Sequence, residues 1–233
     1  MNFAIVFHKE ERVFHLYNEE ISYIMRIMEN EQLEHLYYGK RIPDREGFSY
    51  LHEEARRSQM SVCIPEPGLL SMHYSAQEYP SYGTGDYRSP AFSILQENGS
   101  RVSDFKYRCH EVKSGKPSYL PLPMSYVEKE EEALTLDITL FDNLSQTEMV
   151  LEYTLYRDYP ILCRNVRFTK KGKEKIFLER AMSMSVEFMD KDFSLLHLSG
   201  AWGRERYLKK RKLEMGIQSI QSLNGTCSGA EHN

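Results

Sequence analysis

The sequence has 233 residues, of which 41% are hydrophobic and 27% charged, and its formal net charge is −4. This length suits one large β domain or two ordinary domains, and the apolar share is sufficient for a sizeable core. The acidic balance excludes the electrostatic footprint of a nucleic-acid-binding protein, and it leaves a small molecule or another protein as the expected partner.

The four cysteines, Cys63, Cys109, Cys163 and Cys227, are widely separated and form no C-x-x-C pair. We therefore expect reduced thiols in a cytoplasmic protein, with no disulfide framework, metal site or cofactor. Only five apolar residues, Phe3–Phe7, stand together near the N-terminus. That run is too short for a signal-peptide core or a membrane span, so no membrane partner is expected.

Alternation with a period of two dominates the chain and predicts β-strands with one buried face. Its clearest form is ALTLDITLFD, in which Leu134, Leu136, Ile138 and Leu140 alternate with Thr, Asp and Phe. In chain order, the other predicted strands are Phe3–His8, Arg12–Tyr17, Ile21–Ile27, Phe92–Leu95, Arg101–Cys109, Met149–Leu155, Ile161–Phe168 and Lys175–Leu178.

Turn residues separate these strands, and Asn98-Gly99 is the strongest hairpin signal among them. Leu51–Gln59 is compatible with two helical turns or with a surface loop. The Ile42–Pro90 stretch is rich in proline, glycine and aromatic residues, and it predicts long loops that carry function or cover an interface. Together the patterns predict an all-β fold, a large antiparallel sandwich with few or no helices.

Signatures of catalysis are absent: the sequence has no G-x-S-x-G elbow, Walker loop, G-x-G-x-x-G or H-E-x-x-H motif. The glycines of Gly83–Arg88 precede no predicted helix and are a weak phosphate-loop signal. The basic run Lys209–Lys212 predicts a solvated hairpin tip in this acidic protein. The scattered His35, His73 and His197 are expected to make local hydrogen bonds rather than bind a metal.

Two segments, Glu78–Phe92 and Leu198–Tyr207, combine glycine with aromatic and charged residues. Sugar recognition uses such groups, because aromatic faces pack on C–H groups while carboxylates and guanidinium groups bind hydroxyls. The candidate substrate-binding or rim residues are Trp202, Asp86, Arg88, Arg204 and Tyr87. A structural interpretation stays open as well, in which Asp86 and Arg88 pair with each other or cap turns, and Trp202 seals a subunit contact.

Seven longer motifs occur in one order along the chain, from about Phe3 to Asn233. They are ISYIMRIMENEQLEHLYYGKRI, EYPSYGTGDYRSPAF, GSRVSDFKY, LPLPMSYVE, LERAMSMSVEF, LSGAWGRERY and KLEMGIQSIQSLNGTCSGAEHN. This series closely resembles the N-terminal region of bacterial α-galactosidases of glycoside hydrolase family thirty-six. One departure is Cys227–Glu231, which stands where the family has Ser-Ser-His.

The resemblance implies a β-supersandwich of the galactose-mutarotase-like type at residues 1–224. Residues 225–233 would form a loop leading to further strands and to a (β/α)8 catalytic barrel, neither of which these 233 residues include. The family cleaves terminal α-galactosides such as melibiose and raffinose with retention, using two barrel aspartates about 5 Å apart. One of them stands in a Lys-Trp-Asp motif. Trp202 lies instead between Ala201 and Gly203, so we expect no catalytic residue in this chain and no activity of the chain alone.

The resemblance implies that the domain shapes the rim of an active site and takes part in the assembly of an oligomer. Its partners are then α-galactoside sugars, the absent barrel and further copies of the chain. The resemblance favours a rim role for Trp202. For Asp86 and Arg88 it leaves a ligand-binding role and a structural role equally open. Two alternatives stand beside it, a free-standing carbohydrate-binding β-sandwich and a purely structural oligomerisation module. Unpaired strand edges and apolar surface would favour self-association of an incomplete sandwich.

Overall fold

A computed structural model describes residues 3–52, 72, 75–84, 86–188, 192–201 and 203–220. Within these residues the chain forms twelve β-strands and two short 3₁₀ turns, and all paired strands run antiparallel. The predicted antiparallel all-β fold with few helices is confirmed. The strands are β1 (Ala4–His8), β2 (Val13–Tyr17), β3 (Ile21–Ile27), β4 (Leu33–Lys40), β5 (Phe92–Gln96), β6 (Phe105–Ser114), β7 (Ala133–Asp142), β8 (Thr147–Tyr156), β9 (Leu162–Lys170), β10 (Ile176–Ala181), β11 (Ser194–Ala201) and β12 (Arg204–Lys212), with 3₁₀ turns at Phe48–Leu51 and Glu130–Glu132.

The chain divides into two compact units, Met1–Glu187 and Phe188–Asn233. In the first unit, β1-β2-β3-β4 and β6-β7-β8-β9 form two four-stranded meanders, and β5 pairs with β10. In the second unit, β11 and β12 form a hairpin. The domain boundary expected after residue 224 lies outside the described residues and stays a prediction.

The main core of the first unit lies between the inner faces of the two meanders. Phe14 and Met25 of the first meander belong to the same buried cluster as Leu136 and Leu151 of the second, and Phe92 of β5 joins them. Each strand contributes alternate residues to this cluster, because successive side chains in a strand point to opposite faces. The period-two pattern of the sequence therefore identifies the inner face of most of these strands.

The outer face of the first meander carries a second, smaller core. Val13, Ile24 and Leu36 lie on this face and pack against Phe48 of the first 3₁₀ turn. Consequently β2 is buried along its whole length. The Ile42–Leu51 segment covers this face of the sheet, and we call it the cover segment below.

Two local predictions need correction, and strand β4 was missed. The turn at Asn98-Gly99 forms, with Gly99 in the left-handed region at φ 84°, but β5 pairs with β10 and not with β6 as a hairpin would require. Strand β4 was not predicted, since it places Glu34 and His35 in buried positions where alternation calls for apolar residues. The basic run 209–212 lies along strand β12 and not at the hairpin tip, although it is exposed as expected.

Candidate functional site

The candidate segment Glu78–Phe92 is held from within by a buried carboxylate. Asp86 is only 2% exposed, and its Oδ2 accepts a hydrogen bond from Nε2 of Gln77 at 2.7 Å. Its Oδ1 accepts the backbone N–H of Arg88 at 2.9 Å and the Nε–H of the same residue at 3.0 Å. Both carboxylate oxygens therefore have internal donors, and in this arrangement Asp86 holds the segment and does not face solvent.

Arg88 extends the same network to neighbouring parts of the first unit. Its Nη2 donates to Oδ2 of Asp86 at 2.9 Å and to the carbonyl oxygen of Ser75 at 2.6 Å. Its Nη1 donates to Oε1 of Glu187 at 3.3 Å. The sequence left open whether Asp86 and Arg88 bind a ligand or pair with each other. In the structure the two side chains form an ion pair. One third of the Arg88 side chain remains exposed.

Two tyrosines form the exposed surface of the segment. Tyr87 is 56% exposed and Tyr82 is 43% exposed. Their rings meet edge to face, with 5.7 Å between centroids. An exposed aromatic pair can pack against the C–H face of a sugar ring, while the phenol groups offer hydrogen bonds to its hydroxyls. Tyr87 was predicted from the sequence as a site residue, whereas Tyr82 was not singled out.

The start of the segment is anchored by Glu78, which is fully buried. Its Oε1 accepts hydrogen bonds from the hydroxyls of Tyr23 at 2.5 Å and Tyr153 at 2.8 Å, and it lies 2.7 Å from Nη2 of Arg164. Its Oε2 lies 3.0 Å from Nδ1 of His35. Burial by itself would raise the pKa of Glu78, but the Arg164 charge and the hydrogen bonds of its neighbours outweigh it and lower that pKa below its ordinary value.

This buried network links the two meanders to the candidate segment. Tyr23 belongs to β3 of the first meander, whereas Tyr153 and Arg164 belong to β8 and β9 of the second. Glu78 receives hydrogen bonds from both sides of the core. The position of the segment is therefore determined by the packing of the sandwich itself.

The second candidate segment forms the β11–β12 hairpin of the second unit. Arg204 is the first residue of β12, is exposed, and pairs in register with Ala201. Gly203 adopts φ 75° at the tip, and its N–H donates to Oε1 of Glu205 at 2.8 Å. Trp202, the leading candidate from the sequence, lies outside the described residues. Asp86, Tyr87 and Arg88 belong to the first unit, and Arg204 belongs to the second.

A further polar constellation lies under the cover segment. His15 Nδ1 lies 2.7 Å from Oδ1 of Asp44, and its Nε2 lies 2.9 Å from Oγ of Ser22. This order of groups resembles a Ser-His-Asp charge relay. However, Ser22 is completely buried and its Oγ accepts the N–H of Ile42 at 2.9 Å. A substrate carbonyl cannot reach this hydroxyl, so the constellation is not a hydrolytic triad.

An open groove of about 330 Å³ lies elsewhere on the first unit. Tyrosines and carboxylates line it together, and Tyr126 and Tyr159 are 75% and 62% exposed. This groove was not predictable from local sequence patterns, because its lining residues come from separate positions along the chain. Tyr156, for example, ends the alternating strand β8, and nothing near it in the sequence indicates a groove. The lining residues are Tyr126, Glu128, Glu132, Tyr156, Asp158 and Tyr159.

Comparison with known proteins connects the fold and these segments to one family. The family model described as "Glycosyl hydrolase family 36 N-terminal domain" matches residues 31–233. The chain belongs to this family. The family-36 resemblance seen in the sequence motifs is thereby confirmed, and the matched region includes both candidate segments.

The relatives of this family-36 domain are α-galactosidases. Alpha-galactosidase AgaA of Geobacillus stearothermophilus is 39% identical over 225 residues, which are 97% of this chain and 31% of the relative. Among solved structures, the family-36 α-galactosidase AgaB of the same organism superposes with a TM-score of 0.88 at 37% identity. That match covers 98% of this chain and 31% of the AgaB chain. The chain therefore spans about a third of the length of the proteins it matches.

One of the solved relatives contains a sugar. A variant of AgaA from Geobacillus stearothermophilus in complex with raffinose superposes with a TM-score of 0.85 at 38% identity, over 94% of this chain and 30% of the other. In the described part of this family-36 domain, no helix has the length and apolar character needed to cross a membrane. Cys109 and Cys163 carry free thiols.

Proposed function

We propose that the protein containing this chain is an α-galactosidase, and that the chain forms its non-catalytic N-terminal domain. The similarity to AgaB carries this proposal, because it extends over 98% of this chain but only 31% of that enzyme. The absence of a Lys-Trp-Asp motif from the 233 residues agrees with it. Terminal α-galactosides such as raffinose are the proposed substrates, since a relative binds that sugar.

A chimeric enzyme tests this proposal. The chain would replace the matching N-terminal third of Geobacillus AgaA, and hydrolysis of p-nitrophenyl α-galactoside would be measured for the chimera and for the 233-residue chain alone. We expect turnover by the chimera and none by the chain alone. Turnover by the pure chain would show that the domain is itself catalytic. A folded but inactive chimera would show that the domain does not serve an α-galactosidase.

Within that function, we propose a rim role for Tyr87 of the first unit and, independently, for Arg204 and Trp202 of the second unit. Exposure of Tyr87 and Arg204 supports this assignment. Asp86 and Arg88 would act indirectly, by positioning Tyr87. Their mutual ion pair and their hydrogen bonds fix the backbone on either side of Tyr87. The segment then presents an aromatic surface on a rigid polar base.

Kinetics of the chimera separate rim contacts from structural contacts. Tyr87→Ala and Trp202→Ala should raise KM for raffinose, while Tyr87→Phe should retain most of the affinity because it keeps the aromatic face. Unchanged KM in both alanine variants would remove these residues from the rim. The thermal midpoint of each variant shows whether a kinetic change comes from unfolding.

Assembly into a homo-oligomer is a further part of the proposal. Leu196, Leu198 and Leu208 are 59%, 40% and 69% exposed on the β11–β12 hairpin, and Leu198 pairs directly with Leu208. Adjacent exposed leucines are typical of a contact surface. Sedimentation velocity of the chimera should show an oligomer, which Leu198→Lys with Leu208→Glu should dissociate.

A cytoplasmic location is also proposed, and the free thiols Cys109 and Cys163 support it.

The open groove lined by Tyr126, Tyr156 and Tyr159 favours a second candidate function, direct binding of a carbohydrate by the domain. Aromatic rings and carboxylates are the groups that sugar sites combine, and the groove volume of about 330 Å³ suits a small saccharide. Calorimetry of the 233-residue chain with melibiose tests it. Heat that Tyr159→Ala abolishes and Tyr87→Ala leaves unchanged would place the sugar in the groove. No heat at millimolar sugar would exclude this function.

A further inference from the structure

Three potential metal ligands meet under the cover segment. Oδ1 of Asp44 lies 3.0 Å from Nε2 of His8 and 2.7 Å from Nδ1 of His15, and the three atoms lie within 4.8 Å of one another. The His15 side chain is fully buried, the His8 side chain is 12% exposed, and that of Asp44 is 25% exposed. The cluster is thus enclosed on the protein side and open to solvent beside the carboxylate.

Strand register explains why the two histidines share a face. His15 of β2 pairs with Val6 of β1, so their side chains point to the same side of the sheet. His8 follows Val6 by two residues and therefore also points to that side. Asp44 reaches the same place from the cover segment. Phe48 closes the site on one side, with its ring centroid 5.5 Å from that of His8 and 5.2 Å from that of His15.

The far side of the His15 ring has the partner that a metal-bound histidine requires. A ligating imidazole donates its second N–H to an oxygen, which fixes the ring orientation. Nε2 of His15 lies 2.9 Å from Oγ of Ser22. When Nδ1 binds a metal, the ring proton resides on Nε2 and Ser22 Oγ accepts it. The Ser22 hydroxyl then turns to the carbonyl oxygen of Ile42, which lies 3.4 Å away.

We propose that His8, His15 and Asp44 bind a divalent transition-metal ion, with Zn²⁺ as the best match. Two imidazole nitrogens and one carboxylate oxygen are a ligand set that zinc prefers, whereas Ca²⁺ and Mg²⁺ prefer all-oxygen sites. The three ligands leave a fourth position to water from the solvent side. The ion links β1 and β2 to the cover segment and thereby stabilises the outer core of the first meander.

The required rearrangement is small. Zinc–nitrogen and zinc–oxygen bonds of about 2.0–2.2 Å separate the ligand atoms of a tetrahedral site by about 3.3 Å. The nitrogens of His8 and His15 lie no more than 4.8 Å apart. They therefore need to approach each other by at most about 1.5 Å. We expect the His8 side chain to make most of this movement, because it is the more exposed of the two histidines. Zinc binding at this cluster does not depend on any galactosidase activity.

Calorimetry of the metal-free 233-residue chain with zinc chloride tests the proposal. We expect one equivalent of Zn²⁺ to bind and to raise the thermal midpoint, while calcium chloride produces neither effect. Cobalt chloride should give the visible absorption bands of four-coordinate Co²⁺. A chain that binds no zinc would overturn the proposal, because the cluster would then serve only as a hydrogen-bonded contact between the strands and the cover segment.

Matched variants locate the site. Asp44→Asn keeps an oxygen that accepts hydrogen bonds from the histidines but removes the anionic ligand, and His8→Gln alters only a partly exposed ligand. Each substitution should weaken zinc binding by about ten- to hundredfold or more. Cys109→Ser and His110→Gln should leave the affinity unchanged. If the two ligand variants bind zinc as tightly as the wild type, the ion lies elsewhere and the proposal is wrong, even where both variants fold normally.

Discussion

Nη2 of Arg164 lies 2.7 Å from Oε1 of Glu78, and the two side chains are only 6% and 0% exposed. The hydroxyls of Tyr23 and Tyr153 and Nδ1 of His35 also contact this carboxylate. A buried charge is tolerated only when it is paired and hydrogen-bonded. This ion pair therefore connects the stability of the sandwich to the position of the candidate binding segment that begins at Glu78.

Replacement of Arg164 by methionine should lower the free energy of unfolding by about 3–5 kcal/mol, because it leaves the Glu78 carboxylate buried without its cation. Urea unfolding followed by circular dichroism measures this change. Arg101→Met is the control, since Arg101 pairs with Glu179 at 2.8 Å on the exposed surface. Solvent screens that pair, so the control should move the urea midpoint far less. Equal shifts in both variants would contradict the assignment.

The same carboxylate should make the protein sensitive to acid. The pKa of Glu78 in the folded state lies below its ordinary value of 4.5. The stabilisation from its ionised form is therefore complete above that value and is lost as the pH falls below it. In urea titrations, wild type and Glu78→Gln should differ most at a pH of about 6 and less at about 4. A constant difference would show that Glu78 does not contribute to acid sensitivity.

Asp86 and Tyr87 should respond to substitution in opposite ways although they are neighbours. Asp86→Ala removes the acceptor of the buried Gln77 amide and of Arg88, and should cost about 1–3 kcal/mol of stability. Tyr87→Ala removes an exposed ring and should change stability by no more than about 0.5 kcal/mol. Thermal and urea unfolding of both variants give the comparison. A large loss from Tyr87→Ala would mean that its ring packs internally.

Gly83 of the candidate segment should tolerate substitution poorly. It adopts φ 97°, and an added Cβ would lie 2.9 Å from Cγ2 of Val102. Gly83→Ala should destabilise by about 1–3 kcal/mol through backbone strain together with this clash. Gly99→Ala is the matched control, because Gly99 has φ 84° but open space around it. Similar losses in the two variants would show that the contact with Val102 is unimportant.

Much of the fold was predictable because strand formation here is a local property. Alternation placed β7 and β8 correctly, and both fill their predicted faces of the core. Strand β4 escaped prediction because its buried positions include Glu34 and His35. Those polar residues are accommodated in the interior through partners from distant parts of the chain, as Glu78 is for Nδ1 of His35.

The sequence by itself determined the family, the antiparallel β architecture and the two segments in which site residues were sought. The tertiary structure decided which residues of the first segment face solvent. Asp86 turns inward to Gln77 and Arg88, while Tyr87 points outward. It also brought His8, His15 and Asp44 together, although 29 positions separate His15 from Asp44. The period of a strand follows from its own backbone geometry, whereas the burial and pairing of a charge depend on contacts between residues far apart in the chain.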